Sequence, residues 1–570
     1  MFSRITCFKE KSRTRGILST NVSVSERKTT RFARQISAIA LSASLTACLG
    51  TGEPELAKGS IGHVEGFLGG VVADEPRAAL IGRDMLSAGG SAGDAAAAMY
   101  FALSVTLPSR AGLGGGGMCV AFDQATGETR VMDFTAQAPK SIPSNVDRPS
   151  AIPSNPRGIF AMQARYGRLL WAQVIAPAER LARFGHPVSR AFSRDLNAIG
   201  TALLKDPGAR SIFISPRTGR VLGEGENLVQ LELAATLGLL RGRGVGPFYT
   251  GPSARNFVDG VSQIGGSLNI EELRAYKPQL KDTVKVKVGF EVAHFAPPPA
   301  AASSQAAAIL GMLLEQGDYD SADVSGRAHL IGEAGVHAFA DRETWLSSAG
   351  AGTKSAEALS NEARMEKLAE SLNVQRKTAA SRFVPSPRNR HETPATTNFL
   401  AADPQGNAVA CAVTMNSSFG TGRVVPGTGV LLAAAPGTGG RGPVGLAPML
   451  MVNENSNEFR MAASANGGAV APSVLASTIL NVAEGEMRAS DAIAAPRVHN
   501  GGDPDVTYFE AGLDEQAKVH LSTLGHRTAA TPVLGQVNML FCEGGLPTKP
   551  DTCQMKADPR GAGLAAGTMK

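Results

Sequence analysis

The sequence predicts an α/β layered domain, in which strands form the interior and helices cover them on both sides. Short apolar runs typical of buried strands lie at 118–122, 399–402 and 408–413, and segments with helical periodicity lie before and after them. The composition, with 43% hydrophobic and 19% charged residues, is that of a compact globular chain. A length of 570 residues is sufficient for one large layered domain or for two ordinary ones.

The individual elements follow from local patterns. The first helix begins after Asp74-Glu75-Pro76, where acidic residues and a proline favour a helix start, and it ends before Gly89-Gly90. Helices are predicted at 77–87, 94–102, 171–184, 228–241, 254–264, 270–276, 304–315, 326–346, 472–483 and 490–495. A further strand is predicted at 284–295, a proline-rich surface loop at 145–157, and a mobile polar segment at 354–390.

Two glycine motifs match known patterns but lack the context that those patterns need. Residues 89–93 fit GxSxG, yet a nucleophile elbow follows a strand and here a helix precedes, so we predict a turn between two helices. Residues 112–117 fit GxGxxG, yet a dinucleotide site opens a helix and this loop leads into a strand. We therefore predict no cofactor. No Cys/His cluster has metal-ligand spacing, so no metal is predicted either.

The formal charge of +6 is concentrated at the N-terminus. Residues 1–47 carry nine Lys/Arg against two Glu, a net charge of +7, so the rest of the chain is near −1. A uniform or patchy basic surface for nucleic acid is therefore not indicated.

An uncharged run over 36–47 has the length of a signal-peptide apolar region and is too short to span a bilayer. It ends in Leu45-Thr46-Ala47-Cys48, which resembles the bacterial lipobox, in which the cysteine is lipidated. The alternative is an ordinary signal peptide cleaved near Ala47. Both interpretations predict export, and the first predicts a periplasmic or cell-surface protein anchored to a membrane through Cys48. We predict a leader over 1–47 and a Gly-rich flexible tether over 48–70.

The remaining cysteines are interpreted by position. Cys119 and Cys411 lie in apolar runs, where buried free thiols are expected. Cys542 and Cys553 flank a Gly/Pro-containing loop, and in an exported protein they could form a disulfide or remain free.

The stretch TTNFLAADPQGNAVACAVTMN, starting at Thr396, predicts a hairpin with its turn at 404–407. A buried hairpin explains the apolar residues. It does not explain why Thr396, Thr414 and Asn416 lie at its two ends. Polar residues at those positions indicate a catalytic or binding role.

This stretch resembles the start of the small subunit of the gamma-glutamyltransferases, a family of N-terminal nucleophile hydrolases. Segments that resemble the family in the same order lie at 111–123, 166–189, 329–342, 424–432, 495–500 and 558–567. The resemblance implies a four-layer αββα sandwich and self-cleavage between Ala395 and Thr396. The products would be a large subunit from 71–395 and a small catalytic subunit from 396–570, intertwined in one domain.

The resemblance also implies roles for individual residues. Thr396 would be the nucleophile, and its freed α-amino group, with an ordinary pKa of about 7.7 to 8.0, would be the base. Gly467 and Gly468 occupy the place of the family's oxyanion pair. Thr414 matches a threonine that hydrogen-bonds the nucleophile, and Asn416 matches a residue that binds the substrate's α-amino group.

The chain departs from the family where the substrate is recognised. Thr135 replaces the arginine that binds the substrate carboxylate, and the segment Ala433-Ala434-Ala435 offers no carboxylate for the ammonium group. Val444-Gly445 replaces a pair of serines. Losing an Arg–carboxylate pair weakens γ-glutamyl recognition unless Arg110 or Arg423 substitutes for it.

Three hypotheses follow. The first is a gamma-glutamyltransferase-like enzyme that hydrolyses or transfers γ-glutamyl groups of glutathione-like substrates. The second is a related acylase or amidase with a less polar acyl group. The third is a noncatalytic surface lipoprotein that keeps the fold as a binding module. An enzyme acting on a small-molecule amide is favoured by retention of Thr396, Thr414, Asn416 and Gly467-Gly468.

Overall fold

The computed structural model describes residues 67–388, 395–437 and 442–567. The predicted leader, Cys48 and most of the predicted tether lie outside the described residues, and Gly70 already belongs to the first strand. The strands, in chain order, are β1 Gly70–Ala73, β2 Gly116–Asp123, β3 Glu128–Phe134, β4 His186–Pro187, β5 Asn227–Leu228, β6 Gln279–Lys281, β7 Val284–Val288, β8 Glu291–Phe295, β9 Thr396–Ala402, β10 Ala408–Thr414, β11 Val424–Val425, β12 Val430–Leu431, β13 Ala447–Asn453, β14 Glu458–Asn466, β15 Val498–His499, β16 Thr507–Glu510, β17 Thr528–Thr531, β18 Gln536–Leu546, β19 Cys553–Lys556 and β20 Leu564–Gly567.

The α-helices are distributed along the whole described chain. In chain order they are α1 Pro76–Ser87, α2 Ala92–Thr106, α3 Pro108–Ala111, α4 Asn155–Tyr166, α5 Trp171–Phe184, α6 Arg190–Leu203, α7 Pro207–Phe213, α8 Leu231–Arg243, α9 Gly246–Tyr249, α10 Gly251–Gln263, α11 Ile270–Ala275, α12 Ala301–Gln316, α13 Val324–Arg342, α14 Ala356–Leu359, α15 Glu362–Glu370, α16 Ala471–Ala483, α17 Ala489–Ala494 and α18 Glu515–Thr523. Within the described ranges, none of these helices has the length and apolar character needed to cross a bilayer.

Two large antiparallel sheets form the centre. The first has the strand order β20-β1-β9-β10-β2-β3-β6, and the second has the order β19-β18-β14-β13-β8-β7. Strands β9 and β10 are the predicted hairpin, and they lie in the middle of the first sheet.

Three separate apolar clusters define four layers. Along β10, Ala408, Ala410 and Ala412 pack between the two sheets, whereas Val409 and Val413 pack against the helices on the outer face of the first sheet. Helices α12, α13 and α16 cover the outer face of the second sheet. This alternation is the period of two that a strand buried on both faces requires. The predicted four-layer αββα sandwich is confirmed.

The glycine motifs have the predicted surroundings. Residues 89–93 connect α1 to α2, and Ser91 caps α2 by accepting a hydrogen bond from the Asp94 backbone N–H. Residues 112–117 run from α3 into β2. The first motif is therefore a turn between helices and the second leads into a strand, as the sequence predicts.

Two local predictions are wrong. Residues 284–295 form two strands, β7 and β8, joined by a turn at Gly289-Phe290, where Gly289 has φ of +58° and Phe290 is exposed. The proline-rich segment 145–157 is not a surface loop throughout, because Ser150, Ala151 and Ser154 are buried and α4 begins at Asn155. The segment 354–390, which is predicted to be mobile, contains α14 and α15 in its described part. Asn361 caps α15, and the buried Met365 packs against α12.

In the described part of the chain, two disulfides join neighbouring strands. The prediction of free thiols at Cys119 and Cys411 is wrong, because β2 and β10 pair so that the two residues lie directly opposite each other and are bonded, with a Cα–Cα distance of 4.1 Å. Cys542 and Cys553 are likewise opposed on β18 and β19 and bonded.

Candidate active site

Thr396 is the first residue of β9 and lies in the centre of the first sheet. Directly across the strand pair is Thr414, the last residue of β10. Both side chains are almost fully buried, with 3% and 4% of their surface exposed. The structure therefore brings together the predicted nucleophile and its predicted partner at one end of the central β9–β10 pair.

A short hydrogen-bond relay crosses the predicted cleavage site. The Thr414 hydroxyl donates to the Ala395 carbonyl oxygen at 3.1 Å, and the Asn416 backbone N–H donates to the Thr414 Oγ1 at 3.0 Å. Accepting a bond from Asn416 orients the Thr414 hydroxyl hydrogen toward the carbonyl. This arrangement polarises the Ala395–Thr396 peptide bond.

Asn416 has a backbone conformation that few non-glycine residues adopt, with φ of +59°. Its Nδ2 donates to the Ala434 carbonyl oxygen at 2.9 Å. Its Oδ1 is buried and, within the described part of the chain, has no hydrogen-bond partner. A buried acceptor of this kind is suited to a ligand N–H donor.

The glycine pair Gly467-Gly468 follows β14 and leads through a 3₁₀ turn into α16. A Cβ at Gly467, which has φ of +133°, would lie 2.8 Å from Gly535 Cα, so this position requires glycine. A Cβ at Gly445 would lie 3.7 Å from Gly468 Cα and 3.8 Å from Thr396 Oγ1. Gly445 thus lies between Gly468 and the Thr396 hydroxyl.

A buried carboxylate that the sequence does not predict for the site, Asp74, lies next to the start of β9. The Oδ2 of Asp74 accepts hydrogen bonds from Thr397 Oγ1 at 2.9 Å, Asn398 N at 2.9 Å and Asn466 Nδ2 at 3.1 Å, and its Oδ1 accepts from Asn538 Nδ2 at 2.8 Å. The donors belong to β9, β14 and β18, so Asp74 joins both sheets beside the start of β9. Burial raises the pKa of Asp74, and the donated hydrogen bonds partly oppose that rise.

Thr135 lies at the same end of the strands as Thr396 and Thr414. It follows β3, whose Phe134 pairs with Gly117, and the neighbouring Gly116 pairs with Thr414. Three strand spacings separate Thr135 from Thr396, which is roughly 14 Å. A recess of about 400 Å³ opens here. Its lining includes Asp133, Thr135, Tyr276, Lys277, Lys281, Pro436 and Pro443.

The polar groups of this recess are bonded to one another. The Thr135 hydroxyl donates to Asp133 Oδ1 at 2.8 Å, and Lys281 Nζ lies 2.6 Å from Asp133 Oδ2. Of the two lysines that line the recess, Lys281 is therefore already neutralised by a carboxylate.

The two arginines considered as substitutes are also paired. Arg110 makes a bidentate ion pair with the buried Asp195, at 2.8 and 2.7 Å. Arg423 pairs with Asp147 at 2.9 Å. Both guanidinium groups are thus already bound to carboxylates, and of the two only Arg423 has a buried nitrogen, Nη1, without a hydrogen-bond partner in the described part of the chain.

The segment 433–435, which offers no carboxylate, is buried beside Asn416. The Ala434 N–H donates to Met415 O at 3.1 Å, and the Ala435 N–H donates to Pro149 O at 2.8 Å.

Across residues 67–388, 395–437 and 442–567, no group of three or more His, Cys, Asp and Glu is arranged to hold a metal ion.

The αββα layers, with a threonine at the start of a central strand, define the class of the N-terminal nucleophile hydrolases. A sequence model described as Gamma-glutamyltranspeptidase matches residues 78–568. The chain belongs to the gamma-glutamyltranspeptidase family.

Individual relatives agree with this assignment. The chain is 27% identical over 520 residues to the glutathione hydrolase proenzyme of Escherichia coli (strain K12), covering 83% of this chain and 88% of that protein. It is 28% identical over 520 residues to the acylase ACY 1 proenzyme of Pseudomonas sp. (strain SE83), covering 83% of this chain and 90% of that protein. The crystal structure of cephalosporin acylase from Bacillus halodurans superposes with a TM-score of 0.73, at 21% identity, covering 90% of this chain and 98% of that one. This last likeness shows the fold.

Proposed function

We propose that the protein cleaves its own Ala395–Thr396 bond and then uses Thr396 to hydrolyse or transfer the γ-glutamyl group of glutathione-like amides. The observation that carries this proposal is the Thr414 hydroxyl, which donates to the Ala395 carbonyl beside the Thr396 side chain. Two relatives named proenzymes are similar to this chain over more than four fifths of its length, which supports the proposal.

Self-cleavage is an acyl shift followed by hydrolysis. The Thr396 Oγ attacks the Ala395 carbonyl carbon, the hydroxyl proton passes to the departing nitrogen, and the C–N bond breaks to leave an ester. Thr414 stabilises the oxyanion that forms on the Ala395 oxygen. Water then opens the ester and leaves Ala395 as a carboxylate and Thr396 as a new N-terminus.

Turnover repeats the same chemistry on an external amide. The freed α-amino group of Thr396 takes the hydroxyl proton, and the Oγ forms an acyl-enzyme while the substrate's amine leaves with a proton. Water or an acceptor amine resolves the ester. Backbone N–H groups at Gly467-Gly468, which border Thr396 through Gly445, are proposed as the oxyanion donors.

A second candidate is an acylase or amidase with a less polar acyl group. Three site features favour it: Thr135 in place of an arginine, the acid-free run at Ala433-Ala434-Ala435, and Gly445 in place of a serine beside Thr396. Likeness to a protein named as an acylase is consistent with this alternative. The chemistry at Thr396 is the same in both candidates, and they differ only in what the recess accepts.

The first experiment compares intact mass and N-terminal sequence of the wild type with Thr396→Ala. We expect the wild type to yield a fragment beginning at Thr396, and the mutant to remain whole. Thr129→Ala is a matched control, because Thr129 is a threonine of the same sheet whose buried hydroxyl has no partner in the described structure. A folded wild type that stays whole would overturn the proposal and leave the binding-module hypothesis.

Substrate panels then separate the two candidates. Release of the aniline from γ-glutamyl anilides supports the first, and release confined to uncharged acyl anilides supports the second. A processed protein that turns over neither would favour a binding module.

Localisation is a separate part of the proposal. The lipobox resemblance supports export and anchoring to a bacterial membrane through Cys48. Cys48→Ser should release the protein from the membrane fraction if the cysteine is lipidated, and an ordinary signal peptide predicts no change in fractionation.

A further inference from the structure

The disulfide between Cys119 and Cys411 spans the proposed cleavage site in sequence. Cys119 lies in the part of the chain before Ala395, and Cys411 lies in the part after Thr396. We propose that this bond covalently links the large and small subunits after self-cleavage. The role as a link between subunits rests on the proposed cleavage, whereas the bond itself does not.

The geometry of the sheet supports a permanent bond. Cys119 and Cys411 are directly opposed on antiparallel strands β2 and β10, and the residues before and after them pair in the same register. Both cysteines are fully buried, at 0% exposure, among apolar side chains on the helix-facing side of the sheet. A soluble thiol reaches such a bond only when the sheet opens, so we expect it to resist reduction in the folded protein.

The link fixes the site as well as the subunits. Thr414 lies three residues after Cys411 on β10, and its register partner Gly116 lies three residues before Cys119 on β2. The site needs both fragments, because Thr396 and Thr414 belong to one while Gly116 and Asp74 belong to the other. A disulfide three residues from Thr414 along β10 prevents the two halves of the site from separating.

Forming the bond requires an oxidant. The two thiols lose two protons and two electrons, and a disulfide-bearing thiol oxidoreductase accepts them by exchange and becomes a dithiol. Such oxidants act in compartments outside the cytosol, which agrees with the export predicted from the leader. Because both cysteines are buried, exchange must precede closure of the sheet.

The test is electrophoresis of purified, denatured protein after free thiols have been alkylated, with and without reductant. We expect the wild type to migrate as one linked species without reductant and as two fragments with it. The double variant Cys119→Ala/Cys411→Ala should separate into two fragments without reductant. Cys542→Ala/Cys553→Ala is the matched control and should behave like the wild type, because that disulfide lies wholly within the small subunit.

Two outcomes separate this inference from the proposed function. A wild type cleaved at Thr396 whose fragments separate without reductant would overturn the disulfide link. A wild type that stays whole with reductant would overturn the cleavage, and then nonreducing peptide mapping tests the bond itself. A peptide containing Cys119 joined to one containing Cys411 supports the bond, and alkylated Cys119 and Cys411 would refute it. The mapping uses wild-type protein and so does not depend on the folding of any variant.

Discussion

The Thr414 hydroxyl donates a 3.1 Å hydrogen bond to the Ala395 carbonyl oxygen from directly across the β9–β10 pair. The register of one hairpin therefore places a donor on the bond that the proposed cleavage breaks. Since Thr414 also accepts from the Asn416 N–H, its own hydrogen is directed at the carbonyl. The proposed cleavage thus depends on the pairing of β9 with β10, which positions the Thr414 hydroxyl.

Replacing Thr414 should slow self-cleavage. Thr414→Val keeps the shape of the side chain but removes the donor to Ala395, and loss of one oxyanion donor commonly costs roughly 10²-fold in rate. We expect precursor to accumulate in a time course followed by intact mass. Thr414→Ser retains the hydroxyl and should process at a rate near that of the wild type. Equal rates for Val and Ser would argue that the hydroxyl is dispensable.

Replacing Asp74 should damage both stability and turnover. Asp74→Asn places an amide donor among four donor groups, so at least one of Thr397, Asn398, Asn466 and Asn538 loses its acceptor. We expect a loss of about 3 kcal/mol in the free energy of unfolding. We also expect kcat to fall more than KM rises, because the start of β9 is displaced.

Asp403→Asn is the control for that substitution. Asp403 is another buried carboxylate, but it lies in the β9–β10 turn at the far end of the hairpin, where it accepts from Asn407 and the Ala92 N–H. The Asp403→Asn variant should have a lower free energy of unfolding, while the kcat of its folded fraction is retained. A fall in kcat of similar size for both variants would mean that Asp74 acts only through stability.

The histidine pair His329–His526 should make the fold sensitive to acid. The ring nitrogens lie 2.8 Å apart, and His526 Nδ1 lies 2.7 Å from the Thr507 hydroxyl. Burial, followed by the nearby His329 and Lys377, lowers the pKa of His526 from 6.5 to about 3. Between those values the unfolded chain binds a proton that the folded chain does not, so stability falls as the pH drops below 6.5.

We therefore expect His526→Gln to reduce the loss of stability between pH 7 and pH 5 by about 2 kcal/mol. Urea unfolding of the Thr396→Ala background, which should remain a single chain, measures this difference. Thr507→Val removes the hydrogen bond without removing a titrating group, so it should lower stability equally at both pH values. An unchanged pH dependence of stability in His526→Gln would show that His526 is not the source of the acid sensitivity.

The parts of the fold that the sequence predicts depend on local patterns. Alternating apolar residues and the turn at 404–407 predict the β9–β10 hairpin, and Thr396 and Thr414 follow as its two ends. The β7–β8 hairpin is missed because its β-branched run conceals a turn at Gly289. Local propensity describes a strand well and describes its interruption poorly.

The residues that sequence reasoning misses have distant partners. Asp74 looks like the start of α1, and its role depends on donors 323 to 464 positions away in the chain. The bond between Cys119 and Cys411 depends on pairing of β2 with β10 across 292 positions. Neither relationship leaves a periodic or spacing pattern in the sequence. Only the strand order of the sheet brings these residues together.

Thr135 offers a direct test of substrate class. Its hydroxyl is bonded to Asp133, whose other oxygen is paired with Lys281, in a recess of about 400 Å³ that has room for a longer side chain. Thr135→Arg introduces a guanidinium that the existing Lys281–Asp133 pair does not neutralise. We expect KM for γ-glutamyl anilides to fall about tenfold or more, because a charge-assisted bidentate pair with the substrate carboxylate becomes available. Turnover of uncharged acyl anilides should not improve. Thr135→Gln lengthens the side chain without adding charge, so an equal gain in that variant would assign the effect to filled space instead of carboxylate recognition.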